Sequence, residues 1–388
     1  MRLVVVSHKV CWPSRGSPSG YATDGGFPMQ MAAIAGLFDA TRLLVPVDPR
    51  AQGAGEIPVV GHELQVVPLS VPKGRGLTRK LRLLPWLMAN TPSLLRNVRQ
   101  ADAVHAAIPG DVGTVGILLA LVFGKPLYIR HCGNWHAART SAEHFWRRLL
   151  ERIAGRHAVV LATGGDQRPP SVINPHIEWI FSTSLSEAQL GAYARRRVRL
   201  PGSSPNLVIA CRQDRKKGTG TVIAALPLLA AEFPGVTLTV LGDGPDLDVF
   251  RSQAKTLGVY ERVRFAGNVS HDSVISHLQT SDVFCFPTQA SEGFPKAVVE
   301  ALACGVPVVT TSLAVLQTLL AQGGGRLITE ASPELVAQAV RWVLADERRY
   351  VEMSAAAIET ARQYSLERWT RMIRDRLSAG WGALQAHA

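Results

Sequence analysis

Two glutamates, Glu292 and Glu300, stand in the run Ser291-Glu292-Gly293-Phe294-Pro295-Lys296-Ala297-Val298-Val299-Glu300-Ala301-Leu302-Ala303-Cys304-Gly305-Val306-Pro307. Pro295 suits the first turn of a helix, where its missing N–H leaves nothing unsatisfied. The pattern predicts a helix from Pro295 to about Cys304, stopped by Gly305. Glu292 then lies in a loop at the carboxyl end of a strand Val283–Pro287, and Glu300 about two turns into the helix. The N–H groups of Gly293 and Phe294, with the positive end of the helix dipole, form an anion site. Two carboxylates flanking such a site can bind hydroxyls on either side of a phosphate. The same pair on an ordinary surface helix would only be solvated.

Other segments invite a similar weighing. Cys211-Arg212-Gln213-Asp214-Arg215-Lys216-Lys217-Gly218 follows a strand Leu207–Arg212 and, on spacing alone, is a solvated basic loop. Leu241-Gly242-Asp243-Gly244-Pro245 is a tight turn after a strand. In Thr23-Asp24-Gly25-Gly26-Phe27, before a helix Pro28–Leu37, the two glycines let the backbone approach a phosphate or sugar, unless Asp24 merely caps the helix. The preceding loop, Lys9 to Asp24, is long enough to be functional or disordered. Asp246-Leu247-Asp248 has the D-x-D form of a metal–diphosphate motif, but after Gly244-Pro245 it reads as helix capping. His131, Cys132 and His136 lack a further pair to complete a tetrahedral zinc site, so no metal is expected. Arg195-Arg196-Arg197 reads as a solvated helix end or linker flank. No Walker A, complete GxGxxG or nucleic-acid motif is present, and no nucleic-acid partner is expected.

The elements that would position these residues alternate strand and helix. Candidate strands in the first half are Leu3–Ser7, Leu43–Val47, Leu64–Leu69, Ala103–Ile108, Pro126–His131, Ala158–Ala162 and Ile177–Phe181. In the second half they are Leu207–Arg212, Val236–Leu241, Val263–Ala266, Val283–Pro287, Pro307–Thr310 and Arg326–Ile328. Continuous apolar strands separated by helices imply parallel sheets covered on both faces, so each half is an α/β, doubly wound domain. Arg199 to Asn206 has a linker's composition, giving domains 1–200 and 205–365. Residues 366–388 contain a helix with Trp369, Ile373 and Leu377 on one face, which covers the second sheet or returns to the first domain.

The Ser291–Val309 segment resembles the signature of the family 4 (group 1) retaining glycosyltransferases, whose GT-B fold sets two Rossmann-like domains face to face across a cleft. The likeness is strong from Leu207 to Thr311 and looser before it. It implies that Glu300 holds the ribose hydroxyls of a nucleotide sugar, that Glu292 contacts the transferred sugar, and that the amides of Gly293 and Phe294, before Pro295, bind the diphosphate. Arg212 and Lys217 match the cations that neutralise the departing diphosphate, in place of a metal or other cofactor. Gly242 matches the Gly-rich turn facing the cleft, and Asn268 and Val269 the segment beside the nucleobase. His131 matches a histidine that contacts the donor sugar from the opposite domain, and the loop before Gly26 resembles the acceptor-facing loop. Cys211 departs from the family's usual Gly, and Cys132-Gly133-Asn134 from its usual Asp after the histidine.

Composition narrows the partners. Of 388 residues, 47% are hydrophobic and 19% charged, which excludes a disordered chain, and 34 Gly with 24 Pro without period exclude a collagen. The longest apolar run, Val112 to Phe123, falls short of the ~20 residues of a transmembrane helix. Five cysteines without a CxxC pair suit a reducing cytoplasm. The net charge of +12 lies wholly in residues 1–200, which hold 24 basic and 12 acidic residues, against 18 and 18 afterwards. An anionic partner for the first half follows. Residues 73–84 combine Lys73, Arg75, Arg79, Lys80 and Arg82 with Leu77, Leu81 and Leu84. Residues 141–156 set Phe145, Trp146, Leu149, Leu150 and Ile153 beside Arg147, Arg148, Arg152 and Arg156. Such segments lie on anionic bilayers or simply turn their apolar stripe inward. The expectation is a cytoplasmic, metal-independent hexosyltransferase, peripheral on the inner face of the membrane. It would move sugar from a nucleotide sugar to a lipid-linked sugar or envelope glycan. The alternatives are a UDP-sugar epimerase or hydrolase on the same fold, and a non-catalytic membrane-binding protein, against which the Arg212, Lys217, Glu292 and Glu300 set argues.

Overall fold

Strands buried along their whole length organise both halves of the chain. A computed structural model describes residues 1–51, 56–72, 74, 76–136 and 140–384. Of the first basic segment, Lys73, Arg75 and the side chains of Leu77, Lys80 and Leu81 lie outside the described residues, as do residues 385–388. The chain forms two compact units. The first comprises Met1–Gly164, Arg168–Ser184 and the chain from Leu366 onward; the second comprises Gly165–Gln167 and Leu185–Ser365.

The first unit holds a seven-stranded parallel sheet, in the order Ile177–Ile180, Ala158–Thr163, Leu127–His131, Ala103–Ile108, Arg2–Val6, Ala40–Pro46, Leu64–Leu69. Ala103–Ile108 and Ala158–Thr163 are buried at every position, as strands covered on both faces must be. Chain order reverses between Arg2–Val6 and Ala103–Ile108, so loops at that point diverge to opposite sides of the sheet and leave a crevice. The long loop after the first strand is neither irregular nor disordered. It forms a small antiparallel sheet of Trp12–Pro13, Tyr21–Thr23 and Ile57–Pro58. Strands of two or three residues are too short to show a periodicity, and the third comes from elsewhere in the chain.

The second unit holds a six-stranded parallel sheet, Val263–Gly267, Thr237–Leu241, Asn206–Ala210, Val283–Phe286, Val308–Thr311, Gly325–Ile328. Its chain order reverses between Asn206–Ala210 and Val283–Phe286. Both units are therefore Rossmann-like.

The transition between units falls at Ser184/Leu185, ahead of Arg199–Asn206. Leu185 and Leu190 are buried in the second unit's core, which draws the helix Glu187–Tyr193 with them. Arg197 is not solvated either, because its guanidinium donates to the carbonyls of Leu278, Gln279 and Ser281 at 3.2, 3.1 and 2.7 Å. The helix Leu366–Trp381 packs on the first unit, against Phe27–Ala35 and Ala158–Thr163, with Trp369, Ile373 and Leu377 fully buried.

The basic segments divide their side chains between core and solvent. In the helix Gly76–Gln100, Trp86, Leu94 and Val98 face the core, while Leu84 and Met88 are 66% and 72% exposed. Arg79 pairs with Asp111 at 2.5 Å. In the helix Ser141–Ile153, Leu150 is buried and Trp146 and Ile153 pack on the core, which leaves Phe145, 60% exposed, beside Arg148 and Arg152. Among the described residues no helix is long and apolar enough to cross a membrane.

Candidate active site

The two loops that leave the reversal point of the second sheet meet each other. The first, Cys211–Gly218, is pinned by Gln213, which is fully buried. The Gln213 N–H donates to the Asp243 carbonyl at 3.0 Å. Its Nε2 donates to the carbonyls of Cys211 and Leu241 at 2.9 and 3.0 Å, and its Oε1 accepts from the Thr219 hydroxyl at 2.7 Å. Gly242 backs this loop so closely, at φ +103°, that a Cβ there would sit 2.1 Å from the Cys211 carbonyl oxygen. The Gly-Asp-Gly turn thus has a direct structural task beside the basic loop. Burial pushes the Cys211 thiol up to about 11, so it stays protonated.

Asp246 stands at the N-cap of the helix Leu247–Thr256 but makes no side-chain cap. Its carboxylate reaches across to accept from the Arg215 N–H at 2.9 Å and from Arg215 Nε at 3.2 Å. Asp248 pairs with Arg251 within its own helix. The D-x-D pair is therefore divided between two separate partners, and one member steadies the basic loop. The Lys216 carbonyl accepts from the N–H groups of Gln289 and Ala290 at 2.7 and 3.1 Å, fastening that loop to the second one.

These contacts select one lysine of the basic run. Lys217 Nζ donates to Glu292 Oε1 at 2.7 Å, and the Thr288 hydroxyl donates to the same oxygen at 3.0 Å. Gly218, at φ +94°, lets the loop touch the end of the neighbouring strand, since a Cβ there would lie 2.5 Å from the Pro287 carbonyl oxygen. Arg212 is exposed, and its guanidinium donates no hydrogen bond and makes no ion pair to the side chain of another described residue. Pro295 is the N-cap of the helix Lys296–Ala303. That helix buries Val298, Val299, Ala301, Leu302 and Ala303, leaving Glu300 half-buried on its remaining face. Gly293 and Phe294 precede it, with the Phe294 ring 5.5 Å from Tyr364.

Glu300 Oε1 lies 3.3 Å from His271 Nε2. This hydrogen bond raises the pKa of His271 above its ordinary value, against the opposing effect of burial. His271 begins a helix two residues after Val269, which packs partly on the core, while Asn268 is exposed. Gly242 N–H donates to the Gly267 carbonyl at 2.7 Å, tying this segment to the glycine turn. Sequence reasoning missed Gln213, Thr288 and His271. Gln213 and His271 act through partners that the fold brings near, Leu241 and Glu300, and Thr288 lies in a loop with no periodicity to mark it.

Gly26 and His131 belong to the first unit. Gly26, not Asp24, is the N-cap of Phe27–Ala35, and Asp24 pairs with Lys9. His131 ends the strand Leu127–His131, half-buried, with its ring edge-on to Trp135 at 5.1 Å. Burial lowers its pKa, which keeps the ring neutral near pH 7. Its Nδ1 lies 3.1 Å from the Gly133 carbonyl, so Nδ1 carries the proton and Nε2 is an acceptor. Among the described residues no group of three His, Cys, Asp or Glu could hold a metal ion.

Two Rossmann-like domains, one with cations, carboxylates and a helix start gathered at its switch point, define the GT-B class of nucleotide-sugar-dependent transferases. Comparison with known proteins gives the family. The model for glycosyl transferases group 1 matches residues 193–364. The GDP-mannose-dependent alpha-(1-6)-phosphatidylinositol monomannoside mannosyltransferase of Mycolicibacterium smegmatis is 31% identical over 369 residues, covering 89% of this chain and 91% of that one. The protein of the same description from Mycobacterium tuberculosis is 34% identical over 175 residues, 43% of this chain and 45% of its own length, so that match spans under half of the relative. Among solved structures, Anabaena HepE in complex with UDP and glucose superposes with a TM-score of 0.69 at 18% identity, over 97% of this chain and 99% of that one. Sucrose-phosphate synthase from Thermosynechococcus elongatus gives 0.70 at 17%, over 96% and 97%. The chain belongs to the group 1 glycosyltransferase family.

The His271–Glu300 pair makes a pH-dependent contribution to stability. Because the folded pKa of His271 is raised, that contribution is complete below the ordinary value near 6.5 and is lost as pH rises through the raised one. His271→Gln should therefore cost more stability at pH 6 than at pH 9. The difference should stay under about 1 kcal/mol, since the imidazole is partly exposed. Denaturation midpoints of both proteins at the two pH values measure it, and an equal cost at both would dismiss the charged pair.

Proposed function

We propose that this chain is a retaining, metal-independent hexosyltransferase using a nucleotide diphosphate sugar. The observation that carries the reading is the Lys217–Glu292 contact at the point where the second sheet reverses, on the same loop as Arg212, whose side chain has no partner among the described residues. The mycobacterial relatives' names favour GDP-mannose as donor and a phosphatidylinositol-based glycolipid as acceptor, within the wider class of lipid-linked and cell-envelope glycans.

Glu300 takes the ribose hydroxyls, and the N–H groups of Gly293 and Phe294, ahead of Pro295, take the diphosphate. Asn268 and Val269 lie beside the base, Gly242 and Gly26 allow close backbone approach, and Glu292 and His131 contact the transferred sugar. The acceptor hydroxyl oxygen bonds to the anomeric carbon on the face from which the diphosphate leaves. The bond from that carbon to the β-phosphate oxygen breaks, its electron pair stays on the phosphate, and the phosphate takes the hydroxyl proton. Charge grows on the departing diphosphate, where Arg212 and Lys217 stabilise it. With two cations supplied by the protein, no metal or other cofactor is invoked.

The enzyme would work in the cytoplasm, peripheral on the inner face of the membrane through residues 73–84 and 141–156. Leu84, Met88 and Phe145 offer exposed apolar groups, with Arg82, Arg148 and Arg152 exposed beside them.

Three measurements test this. Glu300→Ala should weaken nucleotide diphosphate binding by about 1–3 kcal/mol in calorimetry, since the ribose loses a charged partner; unchanged affinity would remove Glu300 from the site. Arg212→Ala, assayed in EDTA, should lower kcat by more than it raises KM, because leaving-group charge peaks in the transition state. Loss of wild-type activity in EDTA, restored by Mg²⁺ or Mn²⁺, would overturn the metal-independent reading. The wild type should bind vesicles containing phosphatidylglycerol at low salt and detach as salt rises. Each interfacial cation is worth about 1 kcal/mol there, so Arg82, Arg148 and Arg152 changed together to Glu should abolish binding. Indifference of the wild type to such vesicles would point to a soluble acceptor.

A further inference from the structure

We propose that Gln30 and Arg130, neither of which belongs to the site described above, are positioning residues for sugar transfer. They set the Gly26 turn against His131. The inference rests on the reading of Gly26 and His131 as donor-facing residues.

Gln30 is buried, and each of its polar groups is used. Its backbone N–H donates to the Gly26 carbonyl at 3.3 Å. Its Oε1 accepts from Arg130 Nη1 at 2.9 Å. Its Nε2 donates to the Ser182 hydroxyl at 3.1 Å and to the Thr183 carbonyl at 2.7 Å. Arg130 immediately precedes His131, so the Gln30 side chain ties the first turn of the helix that begins at Gly26 to the strand end that carries the histidine. The helix Phe27–Ala35 makes no side-chain cap at Gly26. Its start is therefore fixed by packing, and Gln30 is one turn in.

Arg130 is a costly residue to bury. It is 7% exposed, and among the described residues its Nε has no hydrogen-bond partner. Its guanidinium lies over the Trp369 ring, 5.5 Å from the centroid. Burying a charged group costs free energy unless its hydrogen bonds are satisfied. What holds the guanidinium here is specific: the Gln30 side-chain carbonyl oxygen and the Trp369 ring. Ser182 and Thr183 stand just before the chain leaves the first unit at Ser184, and Trp369 just after it returns at Leu366. The Gln30–Arg130–Trp369 group therefore fixes both ends of the excursion to the second unit, together with Gly26 and His131.

The test separates positioning from stability. Gln30→Ala should keep nucleotide diphosphate affinity within about twofold, since that binding rests on the second unit, while kcat falls about tenfold or more. Gln30→Glu, which restores an acceptor for Arg130, should recover part of kcat. Ile373→Ala, which empties a buried position one turn beyond Trp369, should lose stability yet keep kcat in the folded fraction. Wild-type kcat in folded Gln30→Ala would overturn the proposal, as would a loss of kcat in Ile373→Ala matching its loss of stability. Should Gln30→Ala fail to fold, Ser182→Ala removes a single bond of the same group: a reduced kcat at unchanged nucleotide affinity supports the proposal and an unchanged kcat overturns it. The Glu300→Ala calorimetry bears on the donor reading alone, so the two can fail separately.

Discussion

The Lys217 ammonium and the Glu292 carboxylate come together at 2.7 Å from loops that leave adjacent strands. Much of the second unit's local structure serves that meeting. The strands Asn206–Ala210 and Val283–Phe286 are hydrogen-bonded neighbours because the sheet reverses there. Gln213 and the glycines at 242 and 244 hold the first loop down, and Asp246 steadies its basic turn. Thr288 holds Glu292 from the other side. A Cβ at Gly218 or Gly242 would drive the backbones apart and dissolve the pair. The glycines here are spacing elements for charges, whatever else they admit.

Parallel α/β architecture is unusually legible. Central parallel strands must be apolar on both faces and stand out as short continuous runs, and the thirteen strands of the two large sheets fall within three residues of their expected bounds. The helix over Glu300 was legible from Pro295 and Gly305, whose backbone constraints act locally. The small antiparallel sheet was not, because its strands are too short for a pattern and Ile57–Pro58 comes from a distant part of the chain. The same limit hid His271. A histidine at the start of a helix carries no mark of a carboxylate twenty-nine positions away.

Charge was legible in sum but not in distribution. The excess over the first 200 residues is real, yet Arg79 is held by Asp111, Arg130 is buried, and Arg197 serves three carbonyls of the second unit. The cations left for an external anionic partner are fewer than a count suggests. Among them are Arg82, Arg148 and Arg152, whose exposed neighbours are apolar. Helix amphipathicity explains the remainder, since Trp146, Leu150 and Ile153 turn to the core on the opposite side.

The pairing of Lys217 also divides labour between the two cations proposed to meet the diphosphate. Lys217 already shares its charge with Glu292, and Phe286 lies beneath its ammonium, 5.9 Å away. Arg212 has no carboxylate partner among the described residues. In the proposed reading both cations would gain interaction as charge grows on the departing diphosphate, and Lys217 would gain the more because Glu292 shares its charge beforehand. As the bond to the anomeric carbon breaks, the phosphate oxygen would become more negative and compete better for the ammonium. Glu292, in the proposed contact with the transferred sugar, would meanwhile be drawn toward the positive charge that develops there. The salt bridge would then loosen as both ends find opposite charge growing on the two halves of the donor. One ion pair, formed at rest and divided in the transition state, would bind the ground state little and stabilise the reacting state more, which is the differential that accelerates a reaction.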